Sequence, residues 1–241
     1  MFFKKMFFIA LINFSLSLFA MYEYAHFDKV LNHLDGDKST WLVVDVDNTI
    51  IEPTDEQMGS HQWFWAYHND LVENHNCTKE EALQQTMAQF IERQLNNSVK
   101  AVEITTADTI KKIQAIGIPV IGLTNRPAPL VQRTREQLLS ANIDLTKNLE
   151  NIIDFEFDVN GKTHIYSQGV IFTQQSHKGN GLTKFIQSVP LKKPERIVYE
   201  DDHGENVKAV YETLNQEYPS LEKIAIRYSY LDQKLKNFKL R

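Results

Sequence analysis

One cysteine, Cys77, is all that the 241 residues contain, which excludes an intramolecular disulfide and any zinc site built on paired cysteines. No basic run interrupts the acidic balance of the chain, whose formal net charge is -5, so a nucleic-acid polymer finds no stripe of counter-charge to bind. Lys111-Lys112 and Lys192-Lys193 are isolated pairs that read as solvated faces. Long apolar runs are missing as well. Met6 to Ala20 offers about 15 apolar residues where a membrane-spanning helix needs roughly 20. That stretch follows a basic start at Lys4 and Lys5 and closes on Ser-Leu-Phe-Ala, the three-part layout of a secretory signal. Residues 1–20 are therefore expected to be a signal peptide, leaving a periplasmic or secreted product that begins near Met21 and has no membrane span. An uncleaved anchor is the other reading of the same stretch.

Neither an internal repeat nor a low-complexity linker follows. The composition, 42% hydrophobic and 24% charged, is that of an ordinary packed protein, and the length suits one α/β core with a small insert. Short runs rich in Val, Ile and Tyr at Trp41–Asp47, Ile118–Thr124, Arg196–Asp201 and Ile224–Tyr230 predict strands covered on both faces. They alternate with helical patterns at Phe27–Leu34, Lys79–Gln94, Ala107–Ile116, Leu130–Ala141, Gly181–Ser188 and Glu205–Gln216. That rhythm predicts a doubly wound, mostly parallel three-layer α/β sheet. Asn160-Gly161 between two apolar runs predicts a hairpin that breaks it. Residues 52–105 exceed any simple connection and read as a small, mostly helical cap inserted into the 21–241 domain.

The chemistry concentrates where strands end. Leu42-Val43-Val44-Asp45-Val46-Asp47-Asn48-Thr49 closes a hydrophobic strand on two carboxylates two residues apart, which alternation would point the same way. Two like charges aimed into one crevice need a shared cation or proton, and the carboxyl edge of a parallel sheet is where open α/β folds bind ligands. A second strand closes on Thr124-Asn125-Arg126, with a hydroxyl and an amide suited to phosphate oxygens. Lys178 stands just before a helix, and a third strand closes on Glu200-Asp201-Asp202.

In that order and spacing, Asp45-Val46-Asp47-Asn48-Thr49, Thr124, Lys178 and Asp201-Asp202 resemble the four motifs of the haloacid dehalogenase superfamily of aspartate-nucleophile phosphohydrolases. Gly59-Ser60-His61-Gln62-Trp63-Phe64, Gly169-Val170-Ile171-Phe172-Thr173 and Tyr228-Ser229-Tyr230 are similar to an exported bacterial branch near the class B acid phosphatases. The resemblance implies Mg²⁺-dependent hydrolysis of a small phosphate monoester, with Asp45 as nucleophile and Asp47 as acid and base. It also implies that Thr124, Asn125 and Lys178 hold the phosphoryl oxygens. Mg²⁺ would sit on Asp45, the main-chain carbonyl of Asp47 and Asp201. Glu200 stands where an apolar residue is more usual, so Asp202, or Glu200 itself, is an alternative ligand. Trp63, Phe64, Trp65 and Tyr67 in the cap form either its packing face or a stacking wall for the leaving group, with Trp63 and Trp65 the candidates for substrate recognition. Two other functions would keep the same residues: a catalytically silent exported module that binds a phosphorylated ligand, and a phosphomutase.

Overall fold

The computed structural model describes residues 21–34, 39–149, 151 and 153–241; the expected signal, residues 1–20, lies outside them. Ten strands and seven α-helices are described. The strands are β1 (Met21–Tyr24), β2 (Thr40–Val44), β3 (Ile51–Pro53), β4 (Val99–Ala101), β5 (Val120–Thr124), β6 (Phe155–Val159), β7 (Lys162–Ser167), β8 (Val170–Phe172), β9 (Arg196–Asp201) and β10 (Glu222–Tyr228). The helices are α1 (His61–Asn74), α2 (Lys79–Asn96), α3 (Thr106–Ala115), α4 (Val131–Ser140), α5 (Lys178–Ser188), α6 (Gly204–Glu217) and α7 (Asp232–Lys236).

Eight strands form one sheet in the order β1-β10-β9-β2-β5-β8-β7-β6. From β1 to β8 all neighbours run parallel, while the β6–β7 hairpin, turning at Asn160-Gly161, adds antiparallel strands at the far edge. Alternation along the strands divides the core in two. Leu42 and Val44 of β2 join Ile110, Ile113 and Leu138 of α3 and α4 on one face. Trp41 and Val43 join Phe185, Val210 and Leu214 of α5 and α6 on the other. Strands buried on both faces are the expected consequence of helices that cross over them. The chain leaves β2 for β5 and β8 on one side, then returns to β9 and β10 on the other. The carboxyl ends of β2, β5 and β9 therefore border a crevice where the winding reverses.

Between β2 and β5 the chain makes an excursion. β3 and β4 pair antiparallel as a narrow neck, and α1 and α2 stand on it. Ser60 caps α1 by accepting from the Trp63 amide, and Thr78 with Glu81 forms a reciprocal capping box on α2, each satisfying amides that a helix start leaves without partners. Three expectations are corrected. Residues 27–34 form a 3-10 helix, Phe27–His33, because Phe27 and Val30 are the buried pair and a three-residue repeat puts them on one side. The last strand is Glu222–Tyr228, which stops short of Tyr230. β2 ends at Val44, so Asp45 and Asp47 are not brought together by strand alternation; Asp47 sits in a tight turn in which the Ile50 and Ile51 amides both donate to the Val46 carbonyl.

Candidate active site

Asp45 is the first residue past β2, and its amide donates to the Glu200 carbonyl of β9, which fixes its carboxyl at the sheet edge. Lys178 opens α5 and is buried, with Nζ 2.5 Å from Asp45 Oδ1 and 2.7 Å from Asp201 Oδ2. Asp201, at the end of β9, also accepts from Tyr199 Oη at 2.5 Å, the His203 amide at 2.8 Å and Asn206 Nδ2 at 3.3 Å. Its two oxygens thus hold four donors, about the capacity of a carboxylate. Asp45, Asp201 and Asp202 each offer an oxygen, and these lie within 4.8 Å of one another.

Burial pushes the Asp45 carboxyl up to about 7 against the pull of Lys178. Burial likewise opposes the Lys178 ammonium, but Asp201 and Asp45 together lift it above the ordinary lysine range. Burial, and then the charges of Asp201 and Asp45, drive Asp202 well above the carboxylate range. Three carboxyls with one ammonium among them are short of positive charge, and a hard divalent cation with oxygen ligands is the group such a donor set fits.

Asp47 faces the same crevice under different control. Burial works to raise its carboxyl, but Arg126, helped by His61 and Lys178, outweighs burial and holds it below the ordinary range. The guanidinium is bidentate, with Nε 2.8 Å from Asp47 Oδ2 and Nη2 2.8 Å from Oδ1. Arg126 is 2% exposed, and its remaining donors reach Gln137 Oε1 at 2.5 Å, Thr134 Oγ1 at 2.9 Å and Gln94 Oε1 at 3.3 Å. Gln94 belongs to α2, so this network ties the cap, α4 and Asp47 together. Gln137 Nε2 adds bonds to Gln94 and to Asn97 Oδ1.

A cavity of about 360 Å³ covers these groups. Its floor includes Asp45, Asp47, Thr124, Asn125, Lys178 and Asp202, and its cap side includes His61, Phe64, Trp65 and Phe90. Thr124 is buried, its Oγ1 accepting from the Arg126 amide. Asn125 Oδ1 accepts from Thr173 Oγ1. Trp65 lines the cavity and donates its indole N–H to His61 Nε2 at 2.8 Å. Burial keeps His61 below the ordinary histidine range despite the nearby Asp47.

Trp63 does not line the cavity. It is buried, stacked on Tyr67 at 5.0 Å, with the Arg93 guanidinium 4.5 Å over its ring, so it packs the cap. Glu200 is also apart from the site, since alternation along β9 turns it to the other face, where it is fully buried near Glu103. Sequence reasoning gave no role to Arg126, His61, His203, Asn206 or Gln175, all of which line the cavity. The signal for Arg126 was its place two residues beyond Thr124, at the end of a strand facing Asp47.

The fold and site define an α/β protein with a carboxylate-rich cavity at the sheet's reversal point. The chain belongs to the family described as "Protein of unknown function (DUF2608)", whose model matches residues 23–240. It is 27% identical over 175 residues to a Chlamydia pneumoniae protein named "Putative outer membrane protein", a match covering 72% of this chain and 64% of that one. It is 27% identical over 173 residues to an uncharacterized Rickettsia prowazekii protein, covering 67% of this chain and 60% of the other. The matched stretch is thus less than two thirds of either relative's length. Among the described residues no helix is long and apolar enough to cross a membrane.

Proposed function

We propose that this chain hydrolyses phosphate monoesters with Asp45 as nucleophile, as its resemblance to haloacid dehalogenase phosphatases implies. The observation that carries the reading is the convergence of Asp45, Lys178, Asp201 and Asp202 beneath the cavity that the cap borders. Mg²⁺ would be held by Asp45, the Asp47 carbonyl and one of the Asp201-Asp202 pair; the resemblance implies Asp201, but four donors already occupy its oxygens and it orients Lys178, which favours Asp202 as the direct ligand. The cation, when bound, supplies charge that offsets the phosphoryl oxygens and the converging carboxylates.

In the first step an Asp45 oxygen bonds to phosphorus as the bond to the leaving oxygen breaks, giving an aspartyl-phosphate. Lys178, Thr124 and Asn125 steady the phosphoryl oxygens. Water then attacks phosphorus, the bond to Asp45 breaks and phosphate departs. Asp47, held as a carboxylate by Arg126, is ready to take the proton from that water, and such help is typically worth about 10²–10⁴ in rate. Giving a proton to the leaving oxygen in the first step requires the Asp47–Arg126 pair to open. Trp65 supplies an aromatic face on the leaving-group side. The name of the chlamydial relative and the signal-like composition of residues 1–20 support a periplasmic or secreted setting.

The locked state of Asp47 also favours a second reading, a silent module that binds a phosphorylated ligand without cleaving it. A panel of phosphate esters assayed with and without Mg²⁺ separates the two. Phosphate release that needs Mg²⁺ and is abolished in Asp45→Asn, with the circular dichroism spectrum unchanged, is the expected result. Near-normal turnover in Asp45→Asn would sink the mechanism, and ligand binding without any release would establish the silent module.

A further inference from the structure

We propose that Gln175 reads the leaving group, and that this group is uncharged and planar with a hydrogen-bonding edge; the inference rests on the monoesterase reading above. Two observations carry it, one of charge and one of backbone.

The lysine and arginine that line the cavity lie at its floor and are already engaged. Lys178 serves Asp45 and Asp201, and Arg126 serves Asp47. The opposite side is built from Phe64, Trp65, Leu83, Met87 and Phe90 of the cap, with His61, whose Nε2 accepts the Trp65 indole N–H and so carries no proton of its own there. A second phosphate or carboxylate on the substrate would give up water against these side chains with no lysine or arginine to meet it, which is unfavourable. A flat apolar body loses nothing there.

The backbone observation concerns Gln174 and Gln175, which have φ of 51° and 62°. Left-handed backbone is strained for most side chains and easy for glycine and, less so, asparagine. Elsewhere among the described residues this chain follows that rule, with asparagine at 48, 76, 142, 148 and 160 and glycine at 59, 117, 161 and 169, Gln168 being the other exception. Two consecutive glutamines in that conformation, beside the cavity, mark side chains that are used. Gln174 has a visible use, since its Nε2 donates to the Thr163 carbonyl at 2.6 Å and pins the loop to the hairpin. The Gln175 amide N–H donates to the Asn125 carbonyl at 3.1 Å, which ties it to the phosphate-binding strand end. Its side chain lines the cavity and donates to Met87 Sδ at 3.4 Å. Gln175 is exposed, so water shares its carboxamide, and a thioether is a weak acceptor; a ring carbonyl, amino or hydroxyl group held in the cavity would be a fixed and stronger partner than either. An amide offers a donor and an acceptor side by side, matching the edge of an uncharged heterocycle or carboxamide.

The test uses phosphonates, which bind without turnover, in the presence of Mg²⁺. Benzylphosphonate, its 3-carbamoyl derivative and its 3-carboxy derivative are titrated by calorimetry against wild type, Gln175→Leu and Gln175→Gly. Wild type should bind the carbamoyl compound about five- to tenfold more tightly than the parent, the advantage of one neutral hydrogen bond, and the carboxy compound more weakly than either. Both variants should lose the carbamoyl preference, while Gln175→Gly, relieved of strain, melts higher than wild type. A purely structural Gln175 would shift melting and leave the preference intact, which overturns the proposal, as does tight binding of the carboxy compound. Absence of binding by all three overturns it together with the monoesterase reading. The predicted binding pattern without cleavage of any ester removes the monoesterase reading and leaves the role of Gln175 standing.

Discussion

Replacing Arg126 by Met keeps most of the side chain's volume and deletes its five bonds. Each acceptor fares differently. Gln94 Oε1 retains donors from Gln137 and Asn97, and Thr134 Oγ1 still donates to the Leu130 carbonyl. Gln137 Oε1 is left buried without its donor, at a cost of about 1–3 kcal/mol. Asp47 loses a bidentate partner. Breaking a fully buried pair costs about 3–5 kcal/mol, but the Asp47 side chain is 23% exposed and water can replace part of what is lost, so about 2 kcal/mol is the better figure. The sum is about 3–5 kcal/mol, a large share of the roughly 5–15 kcal/mol that stabilises a typical domain. Arg126→Lys keeps a charge but not the fork, and should lose about half as much. Urea unfolding at pH 7 in metal-free buffer measures both, with the midpoint falling and the slope unchanged. A loss below about 1 kcal/mol in Arg126→Met would refute the claim that this network joins cap, α4 and Asp47.

Adding Mg²⁺ to EDTA-treated protein should raise its melting temperature, by the equivalent of about 2.7 kcal/mol at a hundredfold excess over Kd, and Asp202→Asn should abolish the rise. An unchanged melting temperature on adding Mg²⁺ to wild type would remove the cation from the site. Burial, and then the charge of Glu103, raise Glu200 well above the ordinary carboxyl range. Its contribution to stability is therefore fully present below its unfolded value and is lost as pH rises through the folded one. The melting temperature of Glu200→Gln should gain on wild type steadily between pH 5 and 8 (test range, roughly), and a gap that does not vary with pH would contradict this burial argument.

Local signals were legible where one physical rule dominates. β9 was read to the residue because the apolar Ile197-Val198-Tyr199 between Arg196 and the acidic triplet has no alternative use, and the start of α2, though not its end at Asn96, because Thr78 and Glu81 announce it. The β6–β7 turn followed from Asn160-Gly161. α1 escaped a separate assignment because its aromatics do not make one stripe: Trp63 and Phe64 are buried while their neighbour Trp65 is half exposed. β1 and β8, of four and three residues, are too short to show a period. At the site, Asp45, Thr124, Lys178 and the Asp201-Asp202 pair were legible because each closes or opens an element. Arg126 was not, since its partners at 47, 94, 134 and 137 are joined by no spacing rule and meet only when the cap folds back over α4.

The same reversal of winding that gathers the carboxylates also decides how the cap is held. β3 begins seven residues after β2 ends, so the neck rises directly beside Asp45 and Asp47. Glu52 in that neck is buried, yet it meets two lysines, Lys234 of α7 at 2.5 Å and Lys100 of β4 at 3.3 Å. Lys234 also reaches Glu56 at 3.4 Å, and Gln57 Nε2 donates to the Lys239 carbonyl. The C-terminal segment therefore braces one side of the neck while Arg126, Arg133 and Gln137 grip the other through Gln94 and Asn97. A neck pinned on both sides makes poor material for a hinge, because opening it would strip a buried carboxylate and several buried amides of their partners. Under the proposed hydrolysis, substrate entry is thus left to the α2 side of the cavity, away from the neck, where Leu83 and Met87 form the wall and Gln175 of the core donates to Met87 Sδ.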